Sequence, residues 1–524
     1  MKPFPPLLLL SLLFGLGARP LRAEPAYPDR FVWVFGWGLD QKKDVDEISA
    51  LIETAAKHGI NGAVLSVGLD TLCKQTPDYF RRLDQIHAAC EKNHVDLIPA
   101  IFSIGYGGGA LSHDRNLAEG LPVVDAPFVV REGKARFESN AKPRLINGDF
   151  EDFNGNQLKG YNFYDQPGEI AFVDTEIKHG GKASLRLEHF TANEHGHGRI
   201  MQEIPLHPHR CYRVSVWVKT EGLSPASSFR LMALSKDQEL APRDFNLLPT
   251  SDWKKISMLL NSLDREKAGL YAGMWGGKAG KLWLDDWTVE EVGPVNLLKR
   301  PGTPVTVRSG DGKTTYKEGQ DYAPFDNSSF SPWRDTGDAL TLQILPRGRI
   351  KNEDRLLVSW YHSMQINDSQ VTACMAEPAL NEIFDHEARL LTEHLHPKRV
   401  LLNTDEVRMG GTCQACAGRN LGELLGSCIT HQVEAIHRYS PEARIYVWSD
   451  MLDPNHNAHA NYYLAKGDFS GSWDHIPRDL VIAVWGGEPS VASHKRLELF
   501  SLIFLHSGAG APGFDALQGL FAPV

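Results

Sequence analysis

In 524 residues there are only seven cysteines, no basic cluster, and no stretch of about 18 uninterrupted apolar residues. Each shortage removes a class of protein. So few cysteines, odd in number, cannot staple a chain of this length, and at least one thiol stays free or pairs elsewhere. A formal charge of −10 without a basic patch leaves no electrostatic footprint for nucleic acid or anionic membrane, so a neutral or weakly charged substrate fits better. No membrane span is expected. The segment GYGGG, Gly105 to Gly109, lacks the Lys and Ser/Thr of a phosphate loop and offers backbone flexibility only.

What is present begins with Met1-Lys2, an apolar core from Leu7 to Gly17, and small or flexible residues from Ala18 to Ala23. That is the layout of an export signal, so residues 1–23 are expected to be removed and the mature protein to be secreted or periplasmic. A lipoprotein needs a Cys at the cleavage point, and the first Cys is Cys73. With 42% hydrophobic and 9% aromatic residues, the remainder can fill large cores in two or three domains.

In residues 24–135, short apolar runs alternate with amphipathic stretches. The runs are FVWVFGW (Phe31 to Trp37), NGAVLSVG (Asn61 to Gly68) and VDLIPAIFS (Val95 to Ser103). Strands apolar on both faces and spaced by helices predict a parallel sheet under helices. From 145 to 292 the pattern turns into short alternating segments such as SLRLEHF, CYRVSVWVKT and KKISMLLNS, which is a β-sandwich signature. Residues 293–350 read as a small β-rich connecting region. Helix and strand alternation resumes in 351–524 with RLLVSWYHS (Arg355 to Ser363), RVLLNTDE (Arg399 to Glu406), ARIYVWSDM (Ala443 to Met451), DLVIAVWGG (Asp479 to Gly487) and LFSLIFLHSG (Leu499 to Gly508). Eight strands with intervening helices predict an α/β fold, a (β/α)8 TIM-like barrel, with the all-β sandwich inserted after its third strand.

In such a fold the active site gathers at the carboxyl ends of the strands. Those ends carry Trp37, Trp360, Tyr361, His362, Asp405, Glu406, Arg408, Trp448, Asp450, Trp485, Glu488 and His506. Taken singly, each Trp reads as filling for the barrel mouth. Four of them beside an Asp-Glu pair read as a sugar site, because indole stacks on the C–H faces of a pyranose while a carboxylic acid reaches the glycosidic oxygen. Asp405 and Glu406 are the expected catalytic pair, and Trp37, Trp360, Tyr361, His362, Arg408, Trp448, Asp450, Trp485 and Glu488 the expected substrate-binding residues. Neighbouring side chains of an extended strand face opposite ways, so both reach one substrate only where the strand ends and the backbone turns. Gly410 and Gly411 follow shortly after, consistent with such a bend.

The segment LLNTDEVRMGG resembles the strand-end motif of glycoside hydrolase family 20, the β-N-acetylhexosaminidases. IYVWSDMLD and LVIAVWGG resemble the Trp-bearing strands that follow it there. The resemblance covers residues 385–510, with a weaker match over 31–103. It implies a substrate-assisted retaining mechanism: Glu406 as general acid and then base, and Asp405 orienting a 2-acetamido group whose carbonyl oxygen attacks the anomeric carbon. FVWVFGWGLD lacks that family's Arg, Thr404 stands where it has Gly, and the pair falls on the fifth strand rather than the fourth. Family 123, with an adjacent Asp-Glu pair acting on N-acetylgalactosaminides, is similar in the same segment. The sandwich edges LINGDFED and KLWLDDWTVEEVG resemble jelly-roll carbohydrate-binding modules of the family 4 and 9 type. Trp217, Tyr161 and Trp275 are its candidate sugar-stacking aromatics, with core packing the alternative for each.

Other readings stay open at this level. Glu406 as acid/base with Glu488 as covalent nucleophile suits a sugar without an acetamido group, and Asp450 is a third candidate carboxylate. A glycan-binding protein without turnover is the other class. Cys413 and Cys416 form a C-x-x-C, read as a local disulfide or loop brace rather than a metal site. His195, His197, His456 and His459 lie in polar loops, where solvated histidine is the default. No metal or cofactor is expected. The expected partner is an oligosaccharide or polysaccharide substrate.

Overall fold

The computed structural model describes residues 28–139, 143–236 and 238–485, and the backbone of 503–508. The expected export signal lies outside the described residues. Strands β1 (Arg30–Phe35), β2 (Gly62–Ser66) and β3 (Asp96–Ile101) pair in parallel, joined by helices α1 (Lys42–Lys57) and α2 (Pro77–Lys92). In α1 the residues Val45, Ile48, Ile52 and Ala55 recur at helical spacing and form its buried stripe. Helix α2 opens on Pro77, where a missing N–H costs nothing, and the Thr76 hydroxyl accepts the Tyr79 N–H at 3.3 Å.

A short helix α3 (Gly108–His113) leads to β4 (Leu121–Arg131), and much later the chain forms β5 (Arg355–His362) and α4 (Ala379–Leu395). Then come β6 (Arg399–Leu402), α5 (Leu421–Tyr439), β7 (Arg444–Trp448), β8 (Val481–Ala483) and β9 (Ile503–Gly508). The parallel sheet has the order β8-β7-β6-β3-β2-β1-β9. Leu401 lies opposite Ala100 and Leu402 opposite Ile101, so everything between β3 and α4 is inserted between two neighbouring strands.

These strands do not make the expected (β/α)8 barrel. Among the described residues the parallel sheet has seven strands, its end strands β8 and β9 are not paired with each other, and the chain as a whole is mostly β. The segment counted as a barrel strand from Arg355 pairs antiparallel with β4 and with Thr306–Ser309 in a separate six-stranded sheet. Its own alternation gives the reason. Leu356, Val358, Trp360 and His362 are buried while Leu357, Ser359 and Tyr361 are half-buried. A strand with two unlike faces suits an antiparallel sheet, whereas β2 and β8 are buried on both sides, as parallel strands are.

The inserted sandwich has two five-stranded antiparallel sheets. One is built on Cys211–Ser224 between Ser251–Asn261 and Ala279–Glu291; the other has Lys267–Met274 between Phe229–Ser235 and Gly198–Pro205. Period-two burial, with Phe229, Leu231 and Ala233 inward and Arg230, Met232 and Leu234 partly exposed, closes the core between them. That core continues through Trp287 into the six-stranded sheet at Phe128 and Trp360. No helix among the described residues is long and apolar enough to cross a membrane.

Candidate active site

The carboxyl ends of β1, β2, β3, β6 and β7 surround a cavity of about 750 Å³, lined by Trp33 and Phe35 from β1, Ser66 and Asp70 around β2, Ser103 and Tyr106 after β3, Asn403, Asp405 and Glu406 after β6, Trp448 from β7, and Trp485 after β8. The backbone leaves β6 after Leu402 and reaches a left-handed φ of 46° at Glu406, which is the turn that brings two consecutive carboxyls to one cavity. Gly105 permits this turn: a Cβ there would sit 2.0 Å from the Asp405 carbonyl oxygen. The Thr404 hydroxyl donates to the Phe102 carbonyl at 3.3 Å and to Gln432 at 3.0 Å, fixing the strand end to its neighbour and to α5.

Glu406 is held from three sides. Arg408 donates from Nη2 to Oε1 at 2.6 Å and from Nη1 to Oε2 at 3.0 Å, and the Tyr106 hydroxyl donates to Oε2 at 2.5 Å. Its backbone N–H donates to Asp450 Oδ2 at 2.8 Å, and its carbonyl accepts from Gln370 at 2.7 Å. Asp450 is fully buried behind the turn and also accepts from Asn457 at 2.8 Å and from the Trp485 indole at 3.3 Å. Arg408 lies over the Tyr463 ring, 5.0 Å from its centroid.

Asp405 differs from both neighbours. Its Oδ1 is buried and has no hydrogen-bond partner. Burial first, then the nearby charges of Asp450 and Glu406, push its carboxyl well above the usual carboxylate range. Burial raises Asp450 as well, against the hydrogen bonds it accepts. Across the cavity, burial pushes Asp70 up to about 6 although it accepts from the Phe102 and Ser103 backbone. The walls are indoles: Trp448 and Trp33 lie 5.4 Å apart at 46°, and Trp448 Nε1 donates to Asn403 at 3.0 Å. Carboxyls with differing hydrogen-bond partners beneath aromatic faces can bind a ring with polar substituents and move a proton to it.

Of the residues singled out in the sequence, Asp405, Glu406, Arg408, Trp448, Asp450 and Trp485 come together here. Trp37 does not line the cavity; its indole donates to Glu47 at 2.9 Å. Trp360, Tyr361 and His362 belong to β5 and so to the six-stranded sheet: Trp360 packs edge-on to Phe128 at 6.1 Å, Tyr361 packs against the core, and His362 is fully buried against Asn261 at 3.0 Å. Burial drives His362 down to about 4, as expected for an imidazole kept neutral in a core. Glu488 and the side chain of His506 lie outside the described residues. Sequence reasoning missed Trp33, Asp70, Tyr106 and Asn403; an aromatic inside the glycine loop directly after a parallel strand was the available signal for Tyr106. The expected disulfide is not formed either, since Cys413 and Cys416 Sγ lie 3.6 Å apart as free thiols. In the sandwich, Tyr161 stacks on Phe150 in the core, while Trp217 stacks on His179 at 3.8 Å.

Residues 143–271 match a family described as a carbohydrate binding domain, within the sandwich. Solved structures similar to this region include a family 4 carbohydrate-binding module (21% identity, 28% of this chain and 99% of that one, TM-score 0.22). A family 16 module is 17% identical over 28% of this chain and 99% of its own, with a TM-score of 0.21. TmCBM61, solved in complex with β-1,4-galactotriose, is 15% identical over 29% of this chain and 99% of its own, with a TM-score of 0.23. No curated protein matches the chain.

Proposed function

We propose that the protein is an exported glycoside hydrolase acting on terminal 2-acetamido sugars, with Glu406 as acid and base and Asp405 as the acceptor of the acetamido N–H. One observation carries this reading: the unpartnered buried Oδ1 of Asp405 beside Glu406 in an indole-walled cavity. A buried oxygen without a donor is costly, and a 2-acetamido N–H supplies one. Asp405 and Asp450 sit close together behind Glu406 and its cation Arg408, and each raises the cost of ionising the other. Burial and the neighbouring acids favour the protonated form of Asp405. As the acetamido carbonyl oxygen attacks the anomeric carbon, positive charge grows on its nitrogen and favours ionised Asp405. The proton passes to Glu406, which delivers it to the departing glycosidic oxygen and then takes one from the water that opens the cyclic intermediate. The region matching a carbohydrate binding domain holds further glycan.

A glycan-binding protein without turnover is the second reading. It is favoured by the clasp of Arg408 and Tyr106, which occupies both oxygens of Glu406. Aryl β-glycosides of N-acetylglucosamine, N-acetylgalactosamine, glucose and galactose separate the two. Release from the acetamido sugars alone, lost by about 10²–10⁴-fold in Glu406→Gln, supports the hydrolase. Release from none of them, with sugar binding retained, supports the second reading, and full activity in Glu406→Gln removes the assigned site. Inhibition by a thiazoline mimic of the cyclic intermediate tests the assistance step.

A further inference from the structure

Away from the cavity, four buried side chains from three separate segments meet: Glu119 before β4, Cys374 before α4, and Cys413 with Cys416 before α5. The sulfurs form a near-equilateral triangle, with Cys374 3.5 Å from Cys413 and 3.5 Å from Cys416, and 3.6 Å between the last two. Glu119 Oε2 completes a tetrahedron at 3.8 Å from Cys413 Sγ and 3.6 Å from Cys416 Sγ. We propose that this cluster is a structural zinc site of three thiolates and one carboxylate.

The dimensions fit a filled tetrahedron. Zinc–sulfur bonds of about 2.3 Å and zinc–oxygen bonds of about 2.0–2.2 Å set its edges at roughly 3.8 Å between sulfurs and roughly 3.5 Å from sulfur to oxygen. A disulfide requires about 2.05 Å and joins only two of the three sulfurs, leaving the third thiol beside the Glu119 carboxyl. Glu119 is already oriented for a metal. Its Oε1 accepts the Thr412 N–H at 3.0 Å, the Cys413 N–H at 3.1 Å and the Thr412 hydroxyl at 2.8 Å, so Oε2 alone faces the sulfurs. Cys416 N–H bonds the Cys413 carbonyl at 3.1 Å, the tight turn that points both C-x-x-C sulfurs one way. Buried Arg300, fixed by the Asn116 and Ala118 carbonyls at 2.8 and 3.0 Å and paired with Glu377, supplies positive charge beside the cluster. On binding, each thiol gives its proton to solvent and no electron moves. Four protein ligands leave no open position, which makes the site structural.

Its position ties the cavity's loops together. Cys374 N–H bonds the Leu117 carbonyl at 2.8 Å and Ala373 N–H bonds the Ile104 carbonyl at 3.0 Å, beside Tyr106, while Cys413 follows Arg408 and Gly411 on the segment after Glu406. The full chain, purified under reducing conditions without chelator, is expected to carry about one zinc per chain by elemental mass spectrometry. Cobalt exchanged into it should give the intense visible bands of a tetrahedral thiolate complex. Cys374→Ser and Cys416→Ser should lose at least about nine-tenths of the metal, and Cys211→Ser, a buried thiol outside the cluster, should keep it. If the serine variants do not fold, metal content and the cobalt spectrum of the wild-type chain decide alone. A folded, reduced chain that holds no zinc and takes up neither metal overturns the site. So does peptide mapping that finds a disulfide among Cys374, Cys413 and Cys416.

Discussion

Two carboxylates, one in the sandwich and one at the mouth of the parallel sheet, live under opposite rules. Asp174 is 6% exposed and accepts four donors: the Glu176 and Ile177 N–H at 2.9 and 3.0 Å, Arg186 at 2.8 Å and the Trp283 indole at 3.0 Å. Burial alone would raise it, yet these donors hold it below the usual carboxylate range. Asp405 keeps a bare Oδ1 and is pushed upward by the same burial and by its acidic neighbours. The sandwich supplies Asp174 with every donor from within, whereas the cavity leaves Asp405 Oδ1 open to a donor from outside. A deficit of this kind is where a ligand is expected to complete the bonding.

The sharpest test of that contrast is chemical. Asp405→Asn should lower turnover of an aryl N-acetylglycoside by about 10²–10³-fold, while Asp174→Asn leaves kcat within about twofold; equal losses would erase the distinction. Next in size, Trp360→Ala should cost about 3–5 kcal/mol of unfolding free energy with KM unchanged, because Trp360 is 1% exposed in the core and outside the cavity. A pH series reaches about 3 kcal/mol. His362 falls from 6.5 to about 4 on folding, so the stability it contributes is complete above pH 6.5 and disappears as pH drops through 4. Urea unfolding at pH 7 and pH 4 should therefore show a smaller acid loss in His362→Gln than in wild type.

Smaller shifts carry opposite signs. Asp174→Asn should lose about 1.5–3 kcal/mol by weakening charged hydrogen bonds, and Asp405→Asn should gain about 1 kcal/mol once the pH is high enough to ionise the wild-type carboxyl, by removing a poorly solvated charge. If both destabilise alike, the bare oxygen has a hidden partner. Smallest of all, Trp485→Ala, 37% exposed at the rim, should leave melting nearly unchanged while raising KM up to about tenfold through lost stacking.

Much of this organisation is written in local pattern. The twice-buried runs of β1, β2, β3, β6 and β7 and the alternation through the sandwich were legible, as was the Asp405-Glu406 pair at a strand end. The misreading at Trp360, Tyr361 and His362 arose because RLLVSWYHS is apolar enough to count as a parallel strand, although its burial alternates residue by residue. Trp33 was overlooked because it sits inside β1 rather than at its end, yet an indole reaches several ångströms along the sheet to meet Trp448. Asp70 and Tyr106 needed the third dimension: nothing in their neighbourhood along the chain records that β2 and β3 deliver them to one hollow.

The placement of the insertion also governs how the molecule is made. Thr404 reaches the Phe102 carbonyl 302 positions away along the chain, at the seam where β3 meets β6. β1 to β3 precede the sandwich in the chain and β6 follows it, so the central seam closes only after long-range pairing across the whole insertion. A slowly folding sandwich therefore delays completion of the parallel sheet, and the exposed edge of β3 is the interval's principal risk of association with another chain.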